Sequence, residues 1–492
     1  MESPPLPPAA VEPRLGLWDA ISIIVGIIIG VGIFAIPGEI FENAPGPWEA
    51  LGVWGLAGVL PLIGALCFAE LASTYPRSGG EYVYLTRAFD SKVGFLYAWA
   101  QFAVIRPSSI AALAYVFAQY AVKVWERDAP GVSPTIAATA LLAVAAITLL
   151  TLINILGVVL GKQTQNLLTV VKVLGLGAIV VAGFLWAEPH RVVVRGIEAK
   201  STWLIGALIA ALWTYAGWHE AAYVAAEVKN SRRNLPLALI LGTVLVTIIY
   251  LLINAALLAG LGFDAARSSH VLAVDLLRSV FGPSAGVTIS ILVMICALGA
   301  INGMIFTTGR LYAAFGEDHR LFSPLSSWSR RWQTPARALA VQGVVSIAFV
   351  IGAVWWTSSP ANPGVSAAVG AAVTPASQDD PFAILLYGTA VVFWLTFFLT
   401  GIALFVLRKK DPGIPRPFPV PFYPWLPLVF CACCGALAVG AVVYKPKESL
   451  ISLGILVAGL PFLLLSAQRK LPIRPDRETE AIVADYSRLR QF

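Results

Sequence analysis

The sequence predicts an all-α integral membrane protein with twelve membrane-spanning helices. Three observations carry this. Hydrophobic residues make up 58% of the 492 positions, charged residues only 12%, and mean hydropathy is +0.79. A soluble chain of this size would have roughly a quarter of its residues charged. Apolar stretches near the ~20 residues that a spanning helix needs recur along the chain. Basic residues gather in alternate loops between them.

The first stretch, 18–41, follows a Pro-rich start and is interrupted by Gly30-Val31-Gly32. It is too long for a signal-peptide core, so no cleavable signal is expected. Further stretches follow at 49–74, 92–122, 134–157 and 164–187. The sixth, 202–228, carries a second interruption in Leu212-Trp213-Thr214-Tyr215-Ala216-Gly217-Trp218. Six more run over 235–262, 283–311, 338–357, 381–407, 423–444 and 448–468. The Pro-rich start and the Ser/Ala/Pro loop 358–379 read as exposed and poorly structured.

With the N-terminus inside, the inner loops hold Arg77, Arg87 and Lys92, then Lys229, Arg232 and Arg233. Next come Arg320, Arg330, Arg331 and Arg337, and then Arg408, Lys409, Lys410 and Arg416. The loop 358–379 has no Lys or Arg. This pattern puts both termini in the cytoplasm of a cell, plasma or inner membrane. The net charge of +7 is thus a topology signal, not a nucleic-acid footprint. The five cysteines, Cys67, Cys296, Cys431, Cys433 and Cys434, all fall in predicted spans and read as small apolar packing residues. No metal or cofactor is expected. The division is a tail 1–16, a first five-helix unit 17–187, a second 202–407, two appended helices within 423–468 and a tail 469–492.

The two interruptions are the most informative features. A broken helix in lipid leaves backbone groups without partners, which is tolerated only where protein or a wet cavity takes them up. Such breaks in matching positions of two halves point to a transporter's substrate site. Incidental glycines serving close helix packing are the alternative, since glycine is common in membrane helices. An odd number of helices per half would make the halves inverted relative to one another.

Several motifs then narrow the choice. Gly26 to Phe34, with its Gly30-Val31-Gly32 core, resembles the first-helix signature of amino acid–polyamine–organocation permeases. Gly64 to Leu71 and Ser78-Gly79-Gly80-Glu81-Tyr82 resemble that superfamily's second helix and the following loop. Ile105-Arg106-Pro107-Ser108-Ser109 is similar to the third helix of the L-type amino acid transporters. Lys229 to Pro236 resembles the inner loop after helix six, and Leu407 to Phe418 the loop after helix ten.

The resemblance implies a leucine-transporter-type fold of two inverted five-helix repeats, with helices one and six unwound. It implies a sodium-independent permease or exchanger for neutral L-amino acids. A proton-coupled symporter and a cationic amino acid or polyamine antiporter are the alternatives within that class. A channel or non-transporting scaffold is the alternative outside it. A channel would show a filter motif or charged pore rings. An enzyme would need a catalytic set, and the four histidines, His190, His219, His270 and His319, are scattered.

An amino acid zwitterion carries two ions that must leave water at a cost of several kcal/mol each if unpaired. A broken helix offers free N–H groups at a positive dipole end and free C=O groups at a negative one. The carboxylate is therefore expected on N–H groups around Gly30, Val31 and Gly32. The ammonium is expected on carbonyls near Ile28 and around Trp213 and Ala216. Thr214, Tyr215 and Gly217 complete the expected binding stretch. Val31 stands where related permeases carry Ser, so a hydroxyl donor is lost.

Trp213 occupies the position where L-type relatives carry a gating Phe, with plain packing as the alternative. Its ring could also face a cation. Lys172 is a charge at membrane depth, a functional candidate by default. The resemblance places its ammonium where other members bind sodium, tying helix five to helix one; snorkelling to the inner face is the alternative. Arg106 reads as structural, with a direct substrate role as the alternative. Glu70 and Glu227 read either as members of an inner gate or as solvated or structural pairs, and His219 as a neutral buried group or a pH sensor. Asn302 and Trp394 are expected to line the pocket. The loop 123–133 lacks the cysteine through which animal L-type transporters bind a heavy subunit, so no disulfide-linked partner is expected.

Overall fold

The segment from Leu17 to Asn43 does not run as one helix. α1 (Leu17–Ile28) stops at Ile29, and α2 (Gly32–Asn43) starts after Val31, bent 48° from it. The structure is a computed structural model that describes residues 13–128, 136–186, 203–269, 271–329, 331–358, 389–444 and 446–466. Arg330, His190, His270, residues 359–379 of the loop 358–379 and both outer tails lie outside the described residues, apart from 13–16.

α3 (Pro47–Thr74) begins with Pro47 in its first turn, where the missing N–H costs nothing. α4 (Glu81–Ala88) is a short helix between spans. Asp90 then caps α5 (Ser91–Ala100), its side chain accepting from the N–H groups of Lys92 and Val93 at 2.8 and 3.0 Å. A π-turn over Gln101–Ile105 carries α5 into α6 (Arg106–Asp128). Such turns re-aim side chains and cluster at functional sites; this one sets Gln101 and Arg106 facing inward. α7 (Ile136–Ile155) and α8 (Val158–Val181) complete the first half.

The second half opens on α9 (Trp203–Thr214). The helix ends there, and after residues 215–219 a 3-10 segment covers Glu220–Glu227. The apolar stretch 202–228 therefore reads as a span in the sequence but contains only twelve α-helical residues at its start. α10 (Ser231–Leu261) packs along α3 and α1. Two short helices, α11 (Phe263–Ser268) and α12 (Leu272–Phe281), lead to α13 (Ala285–Asp318), which is buried along most of its length. α14 (Ala336–Ser358) and α15 (Ala390–Lys410) follow. Arg408, Lys409 and Lys410 in the last turn of α15 complement its negative dipole end. α16 (Trp425–Tyr444), α17 (Pro446–Val457) and α18 (Gly459–Leu465) end the described chain.

Among the described residues, nine continuous helical rods are long and apolar enough to cross a membrane. The bent α1–α2 pair makes a tenth, and α9 and the α17–α18 region are shorter apolar elements. The protein is a multi-pass membrane protein. Large apolar side chains such as Leu141, Leu167, Leu174, Val344 and Leu464 stay exposed, as a lipid-facing surface requires.

One end of the bundle gathers the basic loops. Arg77 there meets Glu317 and Asp318, and Arg87 meets Asp411 at 2.6 Å. Arg408 and Arg416 both bond the fully buried Glu70, at 2.6 and 3.1 Å. The N–H of Val420 donates to the same carboxylate at 2.6 Å. A buried carboxylate needs this much compensation to stay ionised.

Candidate functional site

The two breaks meet. The C-terminal ends of α1 and α9 converge there. Tyr250 of α10 marks the point: its hydroxyl lies 2.9 Å from the carbonyl oxygen of Ile28 and 3.1 Å from that of Thr214. A carbonyl oxygen has two lone pairs, so that of Thr214 keeps capacity for a second donor, while that of Ile28 also accepts from the Gly30 N–H. Two negative dipole ends thus share one buried place. Gly217, with φ of +106°, lets residues 215–219 turn against α1, where a Cβ would overlap Ile27.

The positive end beside them is the start of α2. The N–H of Gly30 turns back to the carbonyl of Ile28 at 2.8 Å. Among the described residues, the N–H groups of Val31, Gly32 and Ile33 meet no acceptor. Of the N–H groups expected around Gly30, Val31 and Gly32, that of Gly30 is therefore taken, and those of Val31, Gly32 and the following Ile33 are open. Trp213 lies over the same point: a Cβ added at Gly32 would touch Thr214 and the Trp213 ring. Beneath, Trp54, Tyr215 and Tyr250 form an aromatic block with ring centroids 5.0 to 6.5 Å apart. The Tyr215 hydroxyl donates away from the break, to the Trp54 carbonyl at 3.0 Å, so Tyr215 contributes backbone rather than its hydroxyl.

Lys172, on α8, is completely buried. Its Nζ donates to the carbonyls of Gly26, in the last turn of α1, at 2.5 Å and of Ile29, at the break, at 2.9 Å. It therefore points inward to α1, not along the bundle to water. Gly299 of α13 makes room for it, since a Cβ there would overlap the ammonium. The rest of α1 is strapped to α8 as well. Asp19 accepts from Lys162 at 3.0 Å and from Asn166 at 2.7 Å, and Thr169 donates to the Ser22 carbonyl at 3.1 Å.

Toward the basic end the approach to the break is shut. The N–H groups of Arg14 and Leu15 donate to the Glu227 carbonyl at 2.8 and 2.9 Å, and the Lys229 N–H donates to Leu15 at 2.8 Å. The Glu227 carboxylate is bidentate with Arg310 of α13, at 2.7 and 3.2 Å, both side chains buried. Glu227 thus ties the broken sixth segment to α13. Glu70, by contrast, ties α3 to α15 and the loop after it, farther from the break.

The remaining expected residues sort differently. Trp394 of α15 does line a small apolar cavity, with Leu212, Ala216, Trp218, Phe393 and Phe430. Asn302 does not reach the break. Its amide bonds Gln165 of α8 and Asn154 of α7, both at 2.8 Å, forming a buried amide ladder that fixes helix positions. Arg106 is structural in part: Nη1 bonds Glu220 Oε1 at 2.5 Å, and Nε donates to Gln101 at 2.9 Å. Glu220 Oε2 accepts from Thr307 at 2.7 Å. His219 sits in the non-helical stretch, Nε2 lying 3.3 Å from Glu81 Oε1. Among the described residues no group of three or more His, Cys, Asp or Glu is placed to hold a metal.

Four participants escaped the sequence reading: Tyr250, Glu81, Glu220 and Tyr223. Glu220 carried a signal, being a carboxylate inside an apolar stretch. Tyr250 and Tyr223 carried none.

Residues 15–462 match the amino acid permease family. The b(0,+)-type amino acid transporter 1 of Mus musculus is 31% identical over 463 residues, covering 93% of this chain and 88% of its own. The same-named protein of Oryctolagus cuniculus is 32% identical over 416 residues, 84% of this chain and 79% of its own. The large neutral amino acids transporter small subunit 2 of Homo sapiens is 29% identical over 464 residues, 93% of this chain and 81% of its own. That last name carries the words "small subunit", so the expectation of no heavy-subunit partner draws no support from these relatives. Residues 129–133 of the loop it rested on lie outside the described residues. A match over nearly the whole chain, with both breaks inside it, makes this protein a member of the amino acid permease family.

Proposed function

We propose that this protein moves neutral L-amino acids across a cell membrane without sodium, as an exchanger or permease. One observation carries the reading: two half-helix C-termini and one unpaired helix N-terminus meet at a single buried place. That arrangement complements a zwitterion without a formal protein charge. The carboxylate goes to the N–H groups of Val31, Gly32 and Ile33. The ammonium goes to the Thr214 carbonyl, which keeps a free lone pair, beside the Ile28 carbonyl. Sodium independence follows from Lys172, whose ammonium already satisfies the carbonyls of Gly26 and Ile29. A sodium ion there would face that positive charge.

A neutral side chain is favoured because none of the residues lining the cavity beside Ala216 is acidic. Trp213 closes over the bound amino acid from the end opposite the basic loops. The basic end is cytoplasmic, and both termini lie on that side. The five-helix units 17–187 and 202–407 form the inverted repeats that rock about the site, with the remaining two helices appended. Relatives named for amino acid transport and for large neutral amino acids support this reading.

The test is uptake of labelled amino acids into proteoliposomes, preloaded with unlabelled substrate or empty, with and without sodium. Neutral amino acid uptake indifferent to sodium is expected. Uptake confined to arginine and polyamines would replace the reading with a cationic antiporter. No uptake of any amino acid would remove it.

A further inference from the structure

Between the break and the basic end lies a buried polar cluster that the transport reading does not use. Glu81 opens α4, which lies across the basic end and is held to the sixth segment by the Gly79 N–H, donating to the Tyr223 carbonyl at 3.0 Å. Glu81 Oε1 lies 3.3 Å from His219 Nε2 and 3.4 Å from the Tyr223 hydroxyl. The two residues are 2% and 1% exposed. Glu81 Oε2 and His219 Nδ1 have no hydrogen-bond partner among the described residues.

The facing groups come from every neighbouring element. α6 supplies Arg106, α13 supplies Thr307, and the 3-10 segment supplies Glu220 and Tyr223. α5 and the π-turn supply Tyr97 and Gln101, Tyr97 being 2.7 Å from Tyr223. Tyr84 of α4 is buried nearby. Phe68 of α3 and Phe393 and Phe397 of α15 box the imidazole, with ring centroids 4.7 to 6.5 Å away.

Charge balance decides what this cluster holds. It has two carboxylates and one guanidinium. Arg106 is matched to Glu220 at 2.5 Å, and the groups left beside Glu81, His219 and the Tyr223 hydroxyl, carry no fixed positive charge. An ionised Glu81 beside a neutral imidazole would leave one negative charge uncompensated in an apolar box, which is costly. One proton removes the imbalance, whether as imidazolium with carboxylate or imidazole with carboxylic acid. Because the two groups interact directly, that proton belongs to the pair. Opening the basic end requires the 220–227 segment to leave α4, and that admits water to Glu81.

We propose that Glu81 and His219 form a proton-binding site that holds one proton while the basic end is sealed and gives it to the cytoplasm when that end opens. The proposal rests on the transporter reading. Net amino acid uptake then carries a proton inward, whereas one-for-one exchange returns it and moves none.

Vesicles carrying a pH-sensitive dye in the lumen test this with labelled leucine, alanine and phenylalanine. Counterflow into preloaded vesicles is the control, and its absence would fail the transporter reading rather than the proton site. Net uptake by the wild type should acidify the lumen. Glu81→Gln and His219→Asn should keep counterflow and lose the acidification. Net uptake without acidification, or acidification that persists in both variants, would overturn the proposal, and where uptake is strict exchange the wild-type spectra decide. Should neither variant exchange, the wild-type protein decides. Its infrared carboxylic-acid band and 15N-histidine resonances should show one proton on the pair, and an ionised Glu81 beside a neutral His219 would overturn it.

Discussion

Replacing Lys172 by Met keeps the side chain's length and apolar stem and removes only the ammonium. Two buried carbonyls, those of Gly26 and Ile29, then lose their donor. An unsatisfied buried acceptor costs about 1–3 kcal/mol, so the sealed arrangement loses about 2–6 kcal/mol relative to one in which water reaches α1. Each transport cycle passes through the sealed arrangement. At the lower bound, about 2 kcal/mol, exchange should slow about 30-fold. The fold should persist, because Lys162, Asn166 and Thr169 still strap α1 to α8. The assay is counterflow of labelled leucine at matched protein density, with size-exclusion chromatography as the check on folding. Lys172→Met exchanging within a factor of about three of wild type would refute the reasoning, since even one lost acceptor at the low end gives more.

Other perturbations probe neighbouring contacts. Trp213→Ala should abolish transport more than it weakens equilibrium binding, and wild-type-like uptake would remove the gate assignment. Tyr250→Phe deletes the one hydroxyl shared by the Ile28 and Thr214 carbonyls. The ligand-free protein should lose about 1 kcal/mol of stability. Saturating amino acid should then stabilise the variant more than the wild type, because its ammonium takes up the freed acceptors; equal thermal shifts would contradict this. At the basic end, burial tends to raise the Asp411 carboxyl, but hydrogen bonds from Arg87 and Tyr75 outweigh it and hold it below the usual carboxylate range. A lowered folded value means stability that is present above the ordinary carboxylate range and lost as pH falls through the folded value. Thermal stability should therefore drop on acidification below about pH 4, and Asp411→Asn should flatten that drop.

How legible the site was depends on what kind of contact makes it. The breaks could be read because glycine in mid-span is a local signal, and residues 29–31 do interrupt the helix. Lys172 could be read because any charge in an apolar stretch needs a reason, and its contact to α1 supplies one. The sixth span was legible as apolar and interrupted, but not as α-helical over only its first twelve residues, because hydropathy does not record where backbone bonds go. Asn302 was misplaced for a rotational reason: sequence locates it along α13 but not which neighbour that face meets, and the face meets α7 and α8. Tyr250 was invisible because a tyrosine in an apolar helix is ordinary until packing aims its hydroxyl at two carbonyls. Pairing Glu81 with His219 requires the loop helix α4 to fold back under the sixth segment, which no local pattern encodes.

The central claim is that the meeting point of the two breaks holds the amino acid. A structure of the protein determined with leucine bound, in sodium-free buffer, tests it most directly. The account predicts the leucine carboxylate on the N–H groups of Val31, Gly32 and Ile33, with the ammonium against the Ile28 and Thr214 carbonyls. It predicts Trp213 above the leucine and Lys172 still bonded to Gly26 and Ile29. Leucine bound elsewhere in the bundle, or an ion displacing Lys172 from α1, would contradict it.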